Sequence, residues 1–206
     1  SKQLKSLLLK KYTVVWQKLE EMAKTKNNLY TIKDIGALLA IDIPKLMGLK
    51  KSSYYQFHET DLVYYSLFSN SKDDYIPFDD PMLIRMRNTR EFINRDHLLD
   101  SVEDNLLKKR MEKSGFCLIY PIFSADVIIG IVVYGEKHNK QLYHNEELDQ
   151  LVGIVRKAQE QIHNVLHLEY LSNNYAEEAL QNYKSTYQMQ LLRETRKIGS
   201  IRGLDE

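Results

Sequence analysis

The chain has 206 residues, enough for one good buried core with accessory helices rather than a string of domains. Its 29 basic and 28 acidic side chains leave a formal charge of +1, so no charge excess points to nucleic acid or to an anionic membrane surface. The single cysteine, Cys117, excludes a disulfide framework and fits a reducing, cytoplasmic setting, and no stretch approaches the roughly 20 apolar residues of a membrane span.

Leu4, Leu8, Val15, Leu19 and Met22 recur at helical spacing and predict a helix over 4–24, followed by a polar break at 24–28. A second helix is expected over 31–47. Thr31 with Asp34 opens it in a loose capping box, Pro44 kinks or ends it, and Gly48 terminates it. Two aromatic-rich strands, 52–58 and 62–69, flank Glu59-Thr60-Asp61 and read as a hairpin. Asn70–Asp74 is a polar loop. Asp80-Pro81 opens a short helix as N-cap and first residue, Arg90–Asn94 reads as a short strand, and Ser101–Lys113 as an amphipathic helix closed by Ser114-Gly115.

Cys117–Phe123 and Val127–Tyr134 are nearly unbroken apolar runs, split only by Ser124-Ala125-Asp126. Strands without polar alternation are usually buried on both faces, so this sheet must be covered twice. Gly135-Glu136-Lys137 then leads to a helix start at Tyr143-His144-Asn145-Glu146-Glu147-Leu148. There Tyr143 and Leu148 are spaced for a hydrophobic staple, and acids sit where the helix dipole favours them. The apolar stripe Leu148, Leu151, Val155, Ala158, Ile162, Val165 and Leu166 thins but continues through Leu171, Ala176, Leu180, Tyr183, Tyr187 and Leu191. Such a helix outruns what one small sheet can cover, which predicts pairing with a second copy as a coiled coil.

The chemistry that enzymes need is not legible. There is no Gly-x-Ser-x-Gly elbow and no Gly-rich phosphate loop, and His144 is followed by Asn145 rather than the acid of a phosphoacceptor pattern. Asp73-Asp74 and Asp79-Asp80 read as a solvated loop and a helix cap. Glu160, His163 and His167 share one helical face, but without a further ligand nearby they read as a solvated face or a dimer seam. No catalytic residue, metal or cofactor is expected.

The order helix, helix, hairpin, short helix, strand, helix, two buried strands, long helix resembles a GAF domain. The specific match is Tyr120-Pro121-Ile122-Phe123, the strand Val127–Tyr134 with Gly130 inside it, Gly135-Glu136-Lys137, Tyr143 and Glu147-Leu148. The resemblance implies an α+β fold: an antiparallel sheet with helices on both faces and long N- and C-terminal helices. Residues 1–28 would be a connector helix, 29–168 the sensory domain, and 169–206 a coiled-coil linker helix. It also implies a regulatory module of a bacterial sensor protein, two-component systems among them. Such a module would bind an unknown small molecule and signal, as a homodimer, through its terminal helices to an output domain outside these residues.

The family further implies an ion pair between Lys137 and Glu147, and close approach of the final helix or a partner backbone at Gly130. Its ligand pocket would lie between the sheet and the helices carrying Met82–Met86 and Ser101–Lys113. Tyr55, Phe57, Tyr65, Phe92 and Asn94 are the candidate binding residues. Cyclic-nucleotide-binding members carry Asn-Lys, Phe and Asp-Glu where this chain has Glu136-Lys137, Tyr143 and Glu147-Leu148, which argues against that ligand. Cys117 lies in a strand and is followed by Leu118, unlike the bilin-attaching cysteine of phytochromes. Free-methionine-sulfoxide reductases share the fold but need several cysteines. The alternative reading is a dimerisation and protein-interaction module without a ligand, its pocket filled by its own tyrosines and leucines.

Overall fold

The computed structural model describes residues 2–24 and 30–202, the side chains at 2–9, 11, 187 and 190–202 excepted. The side chains of Leu4, Leu8, Tyr187 and Leu191, and residues 25–28 of the expected polar break, lie outside the described set. The helices are α1 (Lys2–Lys24), α2 (Ile32–Ala37), α3 (Ile43–Met47), α4 (Pro81–Thr89), α5 (Val102–Ser114) and α6 (Asn145–Arg202). The strands are β1 (Ser52–His58), β2 (Val63–Ser66), β3 (Tyr75–Pro77), β4 (Ile93–Asn94), β5 (Leu118–Ser124) and β6 (Val127–Tyr134). All pairings are antiparallel, in the order β3-β2-β1-β6-β5-β4. The chain divides into two compact units, Ser1–Val165 and Leu166–Glu206, and α6 contributes to both.

β3 follows the expected loop directly and adds an edge strand that the sequence did not signal. The strand expected over Arg90–Asn94 shrinks to Ile93–Asn94, because Arg90 takes a left-handed conformation (φ 61°) to end α4. Asp80 caps α4 as expected, its carboxylate accepting the Met82 N–H at 2.9 Å, and it also receives Arg110 of α5 at 2.9 and 3.1 Å. One buried carboxylate therefore starts α4 and ties it to α5.

Pro44 neither ends nor breaks the second helix. α2 and α3 are joined by a π-helical turn, Leu38–Asp42. Ile43 N–H reaches back five residues to the Leu38 carbonyl, and Pro44 has no N–H to give. The carbonyls of Leu39 and Ala40 thereby lose their ordinary helical donors. Tyr134 Oη donates to Leu39 O at 2.9 Å and Ser52 Oγ to Ala40 O at 2.7 Å. Buried carbonyls need such partners, and side chains from β6 and β1 supply them.

The strand register assigns every side chain to a face. Tyr55, Ile131, Val133, Ile119 and Ile93 point toward α4 and α5, where Met82, Leu83, Met86, Leu107, Met111 and Phe116 complete a buried cluster. Tyr54, Val132, Tyr134, Tyr120 and Leu118 point the other way. That face is closed by Tyr12, Val15 and Leu19 of α1, Ile35 of α2, and Leu148, Leu151, Ile154 and Ile162 of α6, all buried. Trp16 Nε1 donates to Gln150 at 3.4 Å, and its ring lies 3.1 Å from where a Gly153 side chain would begin, so Gly153 lets α1 lie close to α6.

Candidate functional site

The space between the sheet and α4/α5, where the resemblance places a pocket, is occupied by the protein's own side chains. Tyr55 sits there, fully buried, with its hydroxyl donating to Asp74 at 2.8 Å and its ring edge-on to Phe116. Phe57 packs against the same cluster, with its ring 5.0 Å from Tyr64 and 5.8 Å from Phe78. Tyr65 does not join them. The hairpin turn holds four residues rather than three, because Leu62 adopts a left-handed conformation (φ 53°) and the first β2 pair is His58 with Val63. A one-residue change of register turns a whole strand over. Tyr64 therefore shares the face of Phe57, and its hydroxyl donates to Ile128 O at 2.8 Å. Tyr65 lies opposite, edge-on to His58 and Tyr75.

Phe92 and Asn94 also face away from α4 and α5, since Ile93 between them belongs to that cluster. The Asn94 side chain is consumed locally: its Oδ1 accepts Asp96 N–H at 3.0 Å and caps a 3₁₀ turn, Arg95–His97. The five candidate binding residues are thus split between the two faces of the sheet.

Phe92 does border a cavity. Because β4 is two residues long, the outer edge of β5 beyond Ile119 has no strand partner. A cavity of about 510 Å³ opens along this edge, lined by Phe92, Tyr120, Val152, Val155, Arg156 and Gln159, with Arg90 and Phe123 at one end. Phe92 stacks on Tyr120 with centroids 4.8 Å apart and an interplanar angle of 17°. The edge is guarded against another strand: Gln159 accepts Phe123 N–H at 2.9 Å, and Pro121, two residues back on the same side, has no N–H to offer.

The charges around this cavity are unequal. Arg90 is spent on Asp126 (2.5 Å), on the Ala125 carbonyl and over the Phe123 ring at 4.5 Å. Arg156 is exposed and has no carboxylate partner among the described residues. The Tyr120 hydroxyl is buried without a hydrogen-bond partner, and burial pushes its pKa well above the ordinary tyrosine range. An aromatic and aliphatic floor with the Arg156 guanidinium and the Glu91 carboxylate at the rim suits a flat or apolar molecule bearing a polar group. Val152, Arg156 and Gln159 were not singled out from sequence, and Tyr120 was named there only within the motif Tyr120–Phe123. The Pro121 that marks a free strand edge was the available signal.

The motif residues form the junction that starts α6. Lys137 Nζ donates to Glu147 Oε2 at 2.6 Å, with both side chains more than nine-tenths buried. Lys137 also donates to Leu142 O at 3.2 Å and lies 5.1 Å from the centre of the Tyr143 ring. Glu147 accepts His144 N–H at 2.9 Å, closing the helix N-terminus, and Tyr143 Oη donates to Gly135 O at 2.6 Å. Gly130 has a different role from the one expected: a Cβ there would run into the hydroxyl of Tyr54 and stand 2.9 Å from its Cζ. It makes room for a side chain on β1, not for a helix or a second backbone.

Among the described residues no three His, Cys, Asp or Glu side chains are grouped to hold a metal, and no helix is long and apolar enough to cross a membrane. Glu160 is engaged by Lys157 at 2.9 Å.

No family model matches the chain, and no curated protein matches it in sequence. Solved structures do match in fold. The phycoerythrobilin-bound GAF domain from a cyanobacterial phytochrome aligns with TM-score 0.56 at 17% identity, covering 78% of this chain and 98% of that one. The free methionine-R-sulfoxide reductase from Neisseria meningitidis, in complex with its substrate, aligns with TM-score 0.53 at 12% identity, over 77% and 91% of the two chains. A segment of a methyl-accepting chemotaxis protein aligns with TM-score 0.52 at 12% identity, over 74% and 98%. Six antiparallel strands, helices on both faces and the hairpin-to-helix ion pair of Lys137 and Glu147 together identify the fold of this chain as that of a GAF domain.

Proposed function

We propose that this chain is a regulatory sensory module, one that takes a small molecule beside Phe92 and Tyr120 and transmits its presence through α6 in a homodimer. The observation that carries this reading is shared use of one helix. Val152, Val155, Arg156 and Gln159 of α6 wall the cavity, and the same helix runs on as a continuous element to Arg202. A ligand that shifts this wall would alter α6 directly, with no intermediate element needed. Leu168, Tyr170, Tyr175, Leu180 and Tyr183 are exposed along its second part, an apolar series of the kind that a second copy would cover. The similar structures include a GAF domain from a phytochrome and a segment of a methyl-accepting chemotaxis protein, which supports regulation over catalysis.

The ligand-free reading has its own support in the space under α4 and α5, where Tyr55, Tyr64, Met86 and Met111 are buried in one cluster. Native mass spectrometry of the full chain separates the two. The sensory reading expects a dimer with a reproducible added mass that Phe92→Ala loses. A dimer that carries no added mass under any gentle condition supports the interaction module, and a monomer defeats both.

A further inference from the structure

We propose that the recess between the Arg95–His97 turn and the loop following β6 binds a small carboxylate, gripped by Arg95 with Lys140 beside it. The recess measures about 230 Å³ and is walled by Arg95, Asp96, Cys117, Glu136, Lys140 and Tyr143. This is smaller than the roughly 300 Å³ at which pockets for drug-sized molecules begin, so the occupant is compact, of acetate or succinate size.

Arg95 has the chemistry for it. Its side chain is only 15% exposed, yet the nearest carboxylates stand at 3.7 Å (Asp96) and 3.8 Å (Glu136), beyond hydrogen-bonding distance. Among the described residues its guanidinium makes no closer polar contact. A guanidinium presents its N–H donors as a rigid fork matched to a carboxylate, and a recessed one seldom stays unused. Glu136 does not fill that role because Lys50 already holds it at 3.1 Å. The Lys50 hydrogen bond and charge keep the Glu136 carboxyl below its usual range.

Arg95 and Lys140 face the recess with Asp96 and Glu136, and the Lys50 ammonium held on Glu136 tips this group of charges to positive. The backbone of Lys140 is set by the turn: it is left-handed (φ 57°), and its N–H donates to the carbonyl of Lys137, itself anchored on Glu147, while the Lys140 side chain is exposed at the rim. The acceptors on the other walls are engaged: Gln141 Oε1 accepts Asn139 Nδ2 at 3.0 Å, and Leu142 O accepts Lys137 Nζ at 3.2 Å. The Tyr143 hydroxyl is committed to Gly135 O, and burial pushes the Cys117 thiol up, away from a thiolate that would repel an anion. This site is separate from the cavity beside Phe92, and it stands whether or not that cavity binds anything.

The test is a nuclear magnetic resonance titration of the full chain with sodium succinate, against sodium chloride at equal ionic strength. Saturable shifts are expected at Arg95 Nε and at the amides of Asp96, Lys140 and Tyr143. Arg95→Gln should weaken the binding by roughly tenfold or more, the loss of a bidentate charged contact. Lys140→Ala should weaken it less. Glu136→Gln, at an exposed position, should tighten it by removing a repelling charge. Should Arg95→Gln fail to fold, the opposite signs at Lys140 and Glu136 carry the test alone. Shifts that never saturate, binding indifferent to these charges, or phosphate binding as tightly as succinate would each overturn the proposal.

Discussion

The two faces of the sheet are filled with different chemistry. Toward α4 and α5 the core is largely aliphatic and thioether: Met82, Leu83, Met86, Leu107 and Met111 against Ile119, Ile131 and Val133. Toward the terminal helices it is studded with phenols, Tyr12, Tyr54, Tyr120, Tyr134 and Tyr143, all buried. Methionine fills irregular gaps without needing partners, and the two phenols on this face, Tyr55 and Tyr64, place their hydroxyls on Asp74 and on the Ile128 carbonyl. A buried tyrosine must place its hydroxyl, and the second face spends backbone carbonyls to do so, at Leu39 and Gly135. The face richer in hydroxyls is therefore wired to the π-helical turn and to the start of α6, while the two hydroxyls of the thioether face, on Tyr55 and Tyr64, reach neither.

Raising the pH should break this contrast most strongly. Burial raises the pKa of Tyr12, Tyr54, Tyr120, Tyr134 and Tyr143 on one face, and of Tyr55 and Tyr64 on the other, Tyr64 to about 12. A folded-state pKa above the unfolded value of 10.0 means that the stabilisation is complete below pH 10 and is lost as the pH climbs beyond it. Each such tyrosine contributes a slope of about 1.4 kcal/mol per pH unit in that window. Urea unfolding at stepped alkaline pH should show stability falling by several such slopes together. Tyr120→Phe should flatten the fall by one tyrosine's share and leave neutral-pH stability unchanged or higher, because its hydroxyl has no partner to lose.

A smaller loss, confined to the terminal-helix side, is expected from Lys137→Met. It leaves Glu147 buried and unpaired, and removing one partner of a buried pair costs about 3–5 kcal/mol. Chemical denaturation should register that loss, and the double change Lys137→Met with Glu147→Leu should restore most of it. If the single change costs less than a surface pair would, the junction is wetter than its geometry implies.

The sequence was most legible where local chemistry decides alone. The capping box at Thr31, the Asp80-Pro81 helix start and the apolar strands β5 and β6 follow from short-range rules, the pair Lys137–Glu147 was implied by the family resemblance, and the structure carries each of them. It was least legible where one residue changes a phase. A single left-handed Leu62 turned β2 over and exchanged Tyr65 for Tyr64. Pro44 reads as a break, and only the distant donors Tyr134 and Ser52 make it a tolerated π-helical turn. The free edge of β5, and hence the cavity beside Phe92, depends on how short β4 is, which pairing across the sheet sets rather than composition.

Gly130→Ala sharpens the comparison at a single contact. The added methyl meets the Tyr54 hydroxyl, and overpacking of this kind costs about 1–3 kcal/mol. Adding Tyr54→Phe should return only part of it, since the ring carbon Cζ also stands within 2.9 Å. Complete recovery would mean that the hydroxyl alone sets the need for glycine.

The smallest effect concerns the capping box that opens α2, on the terminal-helix side but at the surface. Asp34 accepts the Thr31 N–H and hydroxyl, each at 2.7 Å, and the backbone hydrogen bond leads the causes that hold its carboxyl below the usual value. A lowered folded-state pKa stabilises above the unfolded value near 3.8 and loses that contribution as the pH falls through the folded one. Asp34→Asn should cost about 0.5–1 kcal/mol at neutral pH, in the range of a lost cap. The difference from the parent protein should begin to shrink as the pH falls through 3.8 and close only below the lowered folded-state value, where the parent's own carboxyl is neutral. A gap that persists in acid would show that Asp34 works through shape rather than charge. The exposed helix start would then be held like the buried phenols, by where its atoms sit.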